Sequence, residues 1–168
     1  DRFDASKILP MFAKYHITTF CAPPTMYRML IKQDLSQYDL SSIQHATTAG
    51  EALNPEVFYQ FRKATGLQIA EGYGQTEMTL GIGNLTGNLM KPGSMGKPIP
   101  GYGIDLVDPD GNPVADGVNG EICIKTSGDQ LPCGLFLGYY QDEERTKAVW
   151  HDGWYHTGDI AWRARGGF

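Results

Sequence analysis

Cysteine is scarce: only Cys21, Cys123 and Cys133 occur, and none sits in a Cys-x-x-Cys pair. So sparse and odd a set excludes a disulfide framework and suits a reducing compartment, so a cytoplasmic location is expected. The histidines His16, His45, His151 and His156 show no ligand spacing with one another or with the cysteines. A histidine or cysteine zinc site is therefore not expected. Basic excess is missing too. A net charge of −5 speaks against nucleic acid or an anionic membrane as the main partner. No apolar run approaches the roughly 20 residues of a membrane span. The opening Asp1-Arg2-Phe3-Asp4 is not a signal peptide. No internal repeat and no low-complexity segment is visible.

What is present is ordinary soluble-protein composition, 41% hydrophobic and 20% charged over 168 residues. That length allows one or two domains with a real core. Both ends look cut, the second at Arg165-Gly166-Gly167-Phe168 in what reads as a turn. Two regimes meet near residue 90. In 1–90, helix and strand signals alternate. Asp4 caps a helix with Ile8, Leu9 and Phe12 at helical spacing. "ITTFCA" (17–22) reads as a buried strand. Pro23-Pro24-Thr25 opens a helix carrying Met26, Met29 and Leu30. "IQHATTAG" (43–50) is the next strand, Asn54-Pro55 starts a helix ending at Gly66, and "LQIAEG" (67–72) is a third strand. This order predicts part of a parallel βαβ sheet layer. In 91–168, Gly, Pro and Asp-Gly turns separate the alternating stretches "YGIDLVD" and "GEICIKT", with one helix near 142–150. An antiparallel, barrel-like β subdomain is expected there.

In a parallel sheet, ligands bind beyond the carboxyl ends of the strands. Two loops fall at that edge: Gly50-Glu51-Ala52 after the second strand, and "EGYGQTEMT" (71–79) after the third. The second lacks the lysine of a phosphate loop and the third glycine of a dinucleotide fingerprint. Gly72 and Gly74 are expected to allow positive φ and close approach of a ligand. Tyr73 offers a ring for a base to stack on. Thr76 offers a hydroxyl to a phosphate, and Glu77 an oxygen ligand suited to Mg²⁺. The plainer reading is a strand exit into a helix, with Thr76 as its cap and Glu77 answering the dipole. Taken alone, Gly50-Glu51-Ala52 reads first as a capping turn before Asn54-Pro55. A third element, "GWYHTGDIA" (153–161), puts Asp159 on a glycine-bent turn, where it can accept both hydroxyls of a ribose or simply bond its own backbone. His156 shows no orienting partner and reads as packing rather than as a general base.

Together "TTAGEAL", "EGYGQTEMT", "KPGSMGKPIPG", "NGEICIK", "GYYQDEERT" and "GWYHTGDIA" stand in the order and spacing of the adenylate-forming enzymes. These include acyl-CoA synthetases, luciferases and the adenylation domains of peptide synthetases. The chain resembles the later part of their large N-terminal domain, ending before the hinge and the C-terminal domain with its adenylation lysine. The resemblance implies that Gly50, Glu51 and Ala52 flank adenine and ribose, and that Glu71, Gly72 and Tyr73 form the adenine wall. It implies that Thr76 binds the α-phosphate, Glu77 holds Mg²⁺ and Asp159 grips the ribose. The implied reaction joins a carboxylic acid to ATP, releases pyrophosphate, and passes the acyl group from AMP to CoA. Relatives that use acetate carry a bulky aromatic at the position of Gly74. The resemblance therefore implies an acid longer than acetate, of the medium-chain type or aromatic.

Departures stand beside these matches. The family's upstream phosphate loop is absent, and Arg163-Ala164-Arg165 replaces the usual acidic turn after Asp159. By itself this span is expected to be inactive and to self-associate through an uncovered sheet edge. Two other readings stay open: a peptide-synthetase adenylation domain, although "ITTFCAPPTMYRML" lacks the aspartate that would hold an amino group, and a non-catalytic nucleotide-binding or scaffold module.

Overall fold

A computed structural model describes residues 3–126 and 131–165. Residues 166–168 of the expected terminal turn lie outside the described residues. The chain forms two compact units. One comprises Asp1–Tyr73 with Gly83–Gly96, the other Gly74–Ile82 with Lys97–Phe168. Among the described residues, no helix is long and apolar enough to cross a membrane.

Local chemistry starts and stops the helices of the first unit. In α1 (Ala5–Tyr15) the Asp4 carboxylate accepts the Ser6 N–H at 3.1 Å, and Ala5, Leu9 and Phe12 are buried on one face. The chain leaves α1 through His16 in the left-handed region. β1 (Thr19–Cys21) leads to α2 (Pro24–Leu30), then β2 (His45–Thr48), α3 (Pro55–Thr65) and β3 (Ile69–Tyr73). Asn54 caps α3 and Gly66, at φ 76°, ends it. β1 pairs β2 in parallel, and β2 pairs β3 in parallel, with Phe20 opposite Ala46 and Thr47 opposite Ala70. The expected parallel βαβ layer is therefore present.

Two details differ from expectation. β1 is not a buried strand: Thr19 and Cys21 are exposed and Phe20 is half-buried. It lies at the edge of the sheet, and of its three side chains Phe20 alone is even partly covered. In α2 Leu30 is fully buried as expected, but so is Tyr27, while Met26 and Met29 are half-buried. The Tyr27 hydroxyl donates to Thr47 O at 3.0 Å and Phe20 O at 3.2 Å. Its ring stands edge-on to Phe20 and Phe61. One side chain thus satisfies its polar end on two strands while its body fills the core.

After the short β4 (Ile82–Gly83), the chain returns to β3 through Asn84. The Asn84 backbone N–H and side-chain amide both donate to Glu71 O at 3.0 Å, and the amide also donates to Ser94 O at 3.0 Å. β5 (Lys97–Pro98) follows.

The second unit is an antiparallel sheet of order β6-β7-β9-β8, from β6 (Ile104–Val107), β7 (Asn119–Lys125), β8 (Trp150–His151) and β9 (Trp154–Trp162). α4 (Glu143–Val149), capped by Asp142, precedes β8. After β6 the Asp108 carboxylate accepts the N–H groups of Asp110 and Asn112, both at 2.9 Å. That is the turn chemistry read from Pro109-Asp110-Gly111. β7 departs from simple alternation, with Ile122, Cys123 and Ile124 buried in succession. The register against β9 shifts here: Glu121 faces Ile160 while Cys123 faces His156. Thr157, Gly158 and Asp159 thus stand opposite Ile122 alone, a bulge in β9.

Candidate active site

The motif 71–79 is divided between the two units after Tyr73. In the first unit, Gly50 turns the chain at φ 90° after β2, a conformation that suits glycine. Exposed Glu51 is tied back to α2, taking the Thr25 hydroxyl at 2.6 Å and facing Arg28 at 3.5 Å. Ala52 is exposed and Leu53 buried. Glu71 is buried at the sheet centre, and its carboxylate accepts the Leu53 N–H at 3.0 Å. One hydrogen bond therefore joins the loop after β2 to β3. Gly72 and Tyr73 complete β3, both half-buried.

Burial lifts the Glu71 carboxyl above the ordinary carboxylate range, and the Leu53 N–H opposes part of that rise. The folded chain then holds this proton more tightly than the unfolded chain. The stability it contributes is full at acidic pH, below the unfolded value, and is lost as pH rises through the folded value. Glu71→Gln, which keeps an acceptor for Leu53, is expected to match the parent chain in acid and to exceed it at neutral pH. Glu71→Ala strands a buried N–H and is expected to cost about 1–3 kcal/mol. Urea midpoints at the two pH values measure both; a Gln-minus-parent gap independent of pH would rule out the titration.

Gly74, Gln75, Thr76 and Glu77 belong to the second unit. Positive φ is not what the motif's glycines supply: neither Gly72 nor Gly74 is left-handed. What Gly74 supplies is space. A Cβ there would lie 2.9 Å from Thr79 O, a backbone atom. No helix follows, since Thr76 and Glu77 form a turn, so Thr76 caps nothing and its side chain is exposed. The segment 134–139 pins this turn. Thr79 N–H donates to Gly134 O at 3.2 Å, Phe136 N–H to Glu77 O at 2.7 Å, and the Tyr139 hydroxyl to the Glu77 carboxylate at 2.9 Å. Burial, then Glu77, raises the Tyr139 phenol, which keeps it a neutral donor. Arg145 lies 4.1 Å from the centre of the Tyr139 ring.

The same turn meets Asp159 through Gln75. Gln75 Nε2 donates to Asp159 Oδ2 at 2.7 Å and to Thr157 O at 2.9 Å, while the buried Tyr155 hydroxyl donates to Gln75 Oε1 at 2.8 Å. Gln75 thus ties the turn that bears Thr76 and Glu77 to Asp159. Gln75, Tyr155 and Tyr139 were not among the residues singled out from sequence. Their partners lie 62 to 84 positions away, beyond any local pattern.

His156 does have partners, contrary to expectation. Its Nδ1 lies 2.9 Å from Glu121 Oε2 and 3.4 Å from Cys123 Sγ, and its ring stacks on His151. Strand pairing sets Cys123 opposite His156, a grouping that linear spacing cannot display. The three side chains are close enough to share an ion. Burial, then Glu121, pushes the Cys123 thiol up to about 12. The Glu121 carboxylate is also engaged by the Gly158 N–H.

Comparison with known proteins follows from this geometry. The ACSM3 acyl-coenzyme A synthetase of Rattus norvegicus is 42% identical over 167 residues, covering 99% of this chain and 29% of that protein. The ACSM4 enzyme of Homo sapiens is 42% identical over 158 residues, 94% of this chain and 27% of its own length. Both relatives are mitochondrial, which overturns the cytoplasmic location expected from cysteine usage. The crystal structure of the anthranilate CoA ligase AuaEII with anthranoyl-AMP superposes with a TM-score of 0.87 at 33% identity, covering 97% of this chain and 30% of that one. This chain thus spans under a third of the length of these relatives. A family model for the AMP-binding enzymes matches residues 1–140, and the chain belongs to that family.

Proposed function

We propose that the full-length protein is an ATP-dependent acid–CoA ligase, activating a carboxylic acid longer than acetate as its adenylate. One observation carries the reading: Gln75 ties the 71–79 turn, which bears the Thr76 hydroxyl and the Glu77 carboxylate, to Asp159 at 2.7 Å. In this reading Asp159 holds the ribose hydroxyls. Thr76 donates its hydroxyl to the α-phosphate, and Tyr73 stacks on adenine beside Glu71 and Gly72. Gly50, Glu51 and Ala52 flank the nucleotide. Glu77 suits Mg²⁺: it is a hard oxygen donor with one oxygen on Tyr139 and lone pairs to spare. The ion would offset charge on the phosphates when bound. The chain's own share is positioning and charge stabilisation while the acid's carboxylate attacks the α-phosphate. CoA is the second substrate, its thiol displacing AMP.

Gly74 leaves room for an acyl group larger than acetyl, in line with the anthranoyl group that AuaEII carries. A Cβ at Gly74 would also meet Thr79 O, which accounts for glycine there without reference to the acid, so acid size rests on the resemblance at this position. The test is a panel of acetate, hexanoate, octanoate, benzoate and anthranilate with ATP and CoA on the full-length protein. AMP and thioester are expected with the larger acids. Acetate as the best substrate would sink the size assignment. Pyrophosphate exchange driven by amino acids alone would favour a peptide-synthetase domain, and no exchange with any acid a non-catalytic module.

A further inference from the structure

We propose that Glu121 is a positioning residue that fixes the β9 bulge and so aims Asp159; the inference rests on Asp159 being the ribose ligand. A bulge leaves residues outside the ladder, and something must hold them. Here Glu121, on the neighbouring strand, spans it. Its Oε1 accepts the Gly158 N–H at 2.8 Å, and its Oε2 faces His156 Nδ1 at 2.9 Å. The carboxylate thus grips β9 on both sides of Thr157 and holds Gly158 at φ 78°. Glu121 is 26% exposed and His156 15%, so water is a poor substitute for either partner.

The bulge decides where Asp159 points. Three residues stand opposite Ile122 alone, so Thr157, Gly158 and Asp159 leave the regular pairing, and the left-handed turn at Gly158 redirects the chain just before Asp159. Thr157 is the second tie: its hydroxyl donates to Ile122 O at 2.7 Å and accepts the Asp159 N–H at 3.1 Å. Gln75 then receives the Asp159 carboxylate. Glu121 touches neither nucleotide nor acid in this scheme and acts through Asp159.

The experiment is a double-mutant cycle in the full-length enzyme, with KM for ATP, acid and CoA measured separately. Glu121→Ala is expected to lower kcat/KM for ATP about ten- to a hundredfold, with the KM values for acid and CoA held within about twofold. Glu121→Gln keeps an acceptor for Gly158 and is expected to lose less than about threefold. In an Asp159→Ala background, Glu121→Ala should cost under about twofold more. An undiminished Glu121→Ala effect in that background overturns the proposal, as does an equal rise in all three KM values. If Glu121→Ala fails to fold, Thr157→Val cuts the second tie and must show the same ATP-selective loss. Asp159→Ala with an unchanged KM for ATP, and no preference for ATP over 2′-deoxy-ATP in the parent, would instead remove the ribose reading itself.

Discussion

Glu77→Ala in the full-length enzyme is expected to slow adenylate formation by about 10²- to 10³-fold, the loss usual for one electrostatic stabiliser of a transition state. The carboxylate is held from two sides. Its backbone carbonyl takes the Phe136 N–H at 2.7 Å, and its side chain takes the Tyr139 hydroxyl at 2.9 Å. Phe136 packs edge-on against Tyr139, Trp150 and Tyr155, so the clamp is built on an aromatic cluster rather than on a free loop. A carboxylate held this way costs little further ordering when it meets a cation. Glu77→Gln separates charge from scaffolding. It still accepts from Tyr139, so a purely structural Glu77 would survive it, whereas a metal ligand would not. Acid-dependent pyrophosphate exchange across a Mg²⁺ titration makes the measurement. Both variants should need more Mg²⁺ to reach a lower plateau. A Gln variant with the parent's rate and Mg²⁺ dependence would reduce Glu77 to an anchor for Tyr139.

The second large effect is on stability. Gly96→Ala is expected to destabilise the chain by about 3–5 kcal/mol, through a strained φ and a backbone collision together. Gly96 sits at φ 104°. A Cβ there would fall 2.3 Å from the carbonyl carbon and oxygen of Gly83 and 2.6 Å from the Asn84 nitrogen. These are backbone atoms with nowhere to retreat. Asn84 is fixed by its bonds to Glu71 O and Ser94 O, so yielding space would break the link to β3. For a chain of this size the change should lower the melting temperature by roughly 10 °C. Calorimetry beside Gly111→Ala is the check, since Gly111 has a similar φ of 81° but nothing near its Cβ position. That control should show the strain of φ alone. Equal losses for the two variants would show that the collision is relieved elsewhere.

How much of this was legible in the sequence depends on distance along the chain. Helix ends were read correctly at Asp4, Asn54 and Gly66, because capping is settled within a few residues. The parallel order of the first three strands followed from alternation with helices. β1 was misjudged because composition reports β-propensity, while burial depends on what lies on each side. Within the candidate site the motif residues were visible, but their connections were not. Gln75 carries no local signal of its role, since Tyr155 and Asp159 lie 80 and 84 positions away. Thr157-Gly158-Asp159 looked like a turn because glycine marks both turns and bulges, and only the pairing with β7 tells them apart.

Cys123 gives the fold a use of its own as a reporter. Cys21 and Cys133 are exposed, while Cys123 is fully enclosed where β7 meets β9. A thiol reagent therefore meets two sites that react at once and a third that waits for the strands to part. The delay of that third reaction is a clock for excursions of the segment bearing Asp159. It can be read in the unmodified chain, before any ligand or variant is introduced.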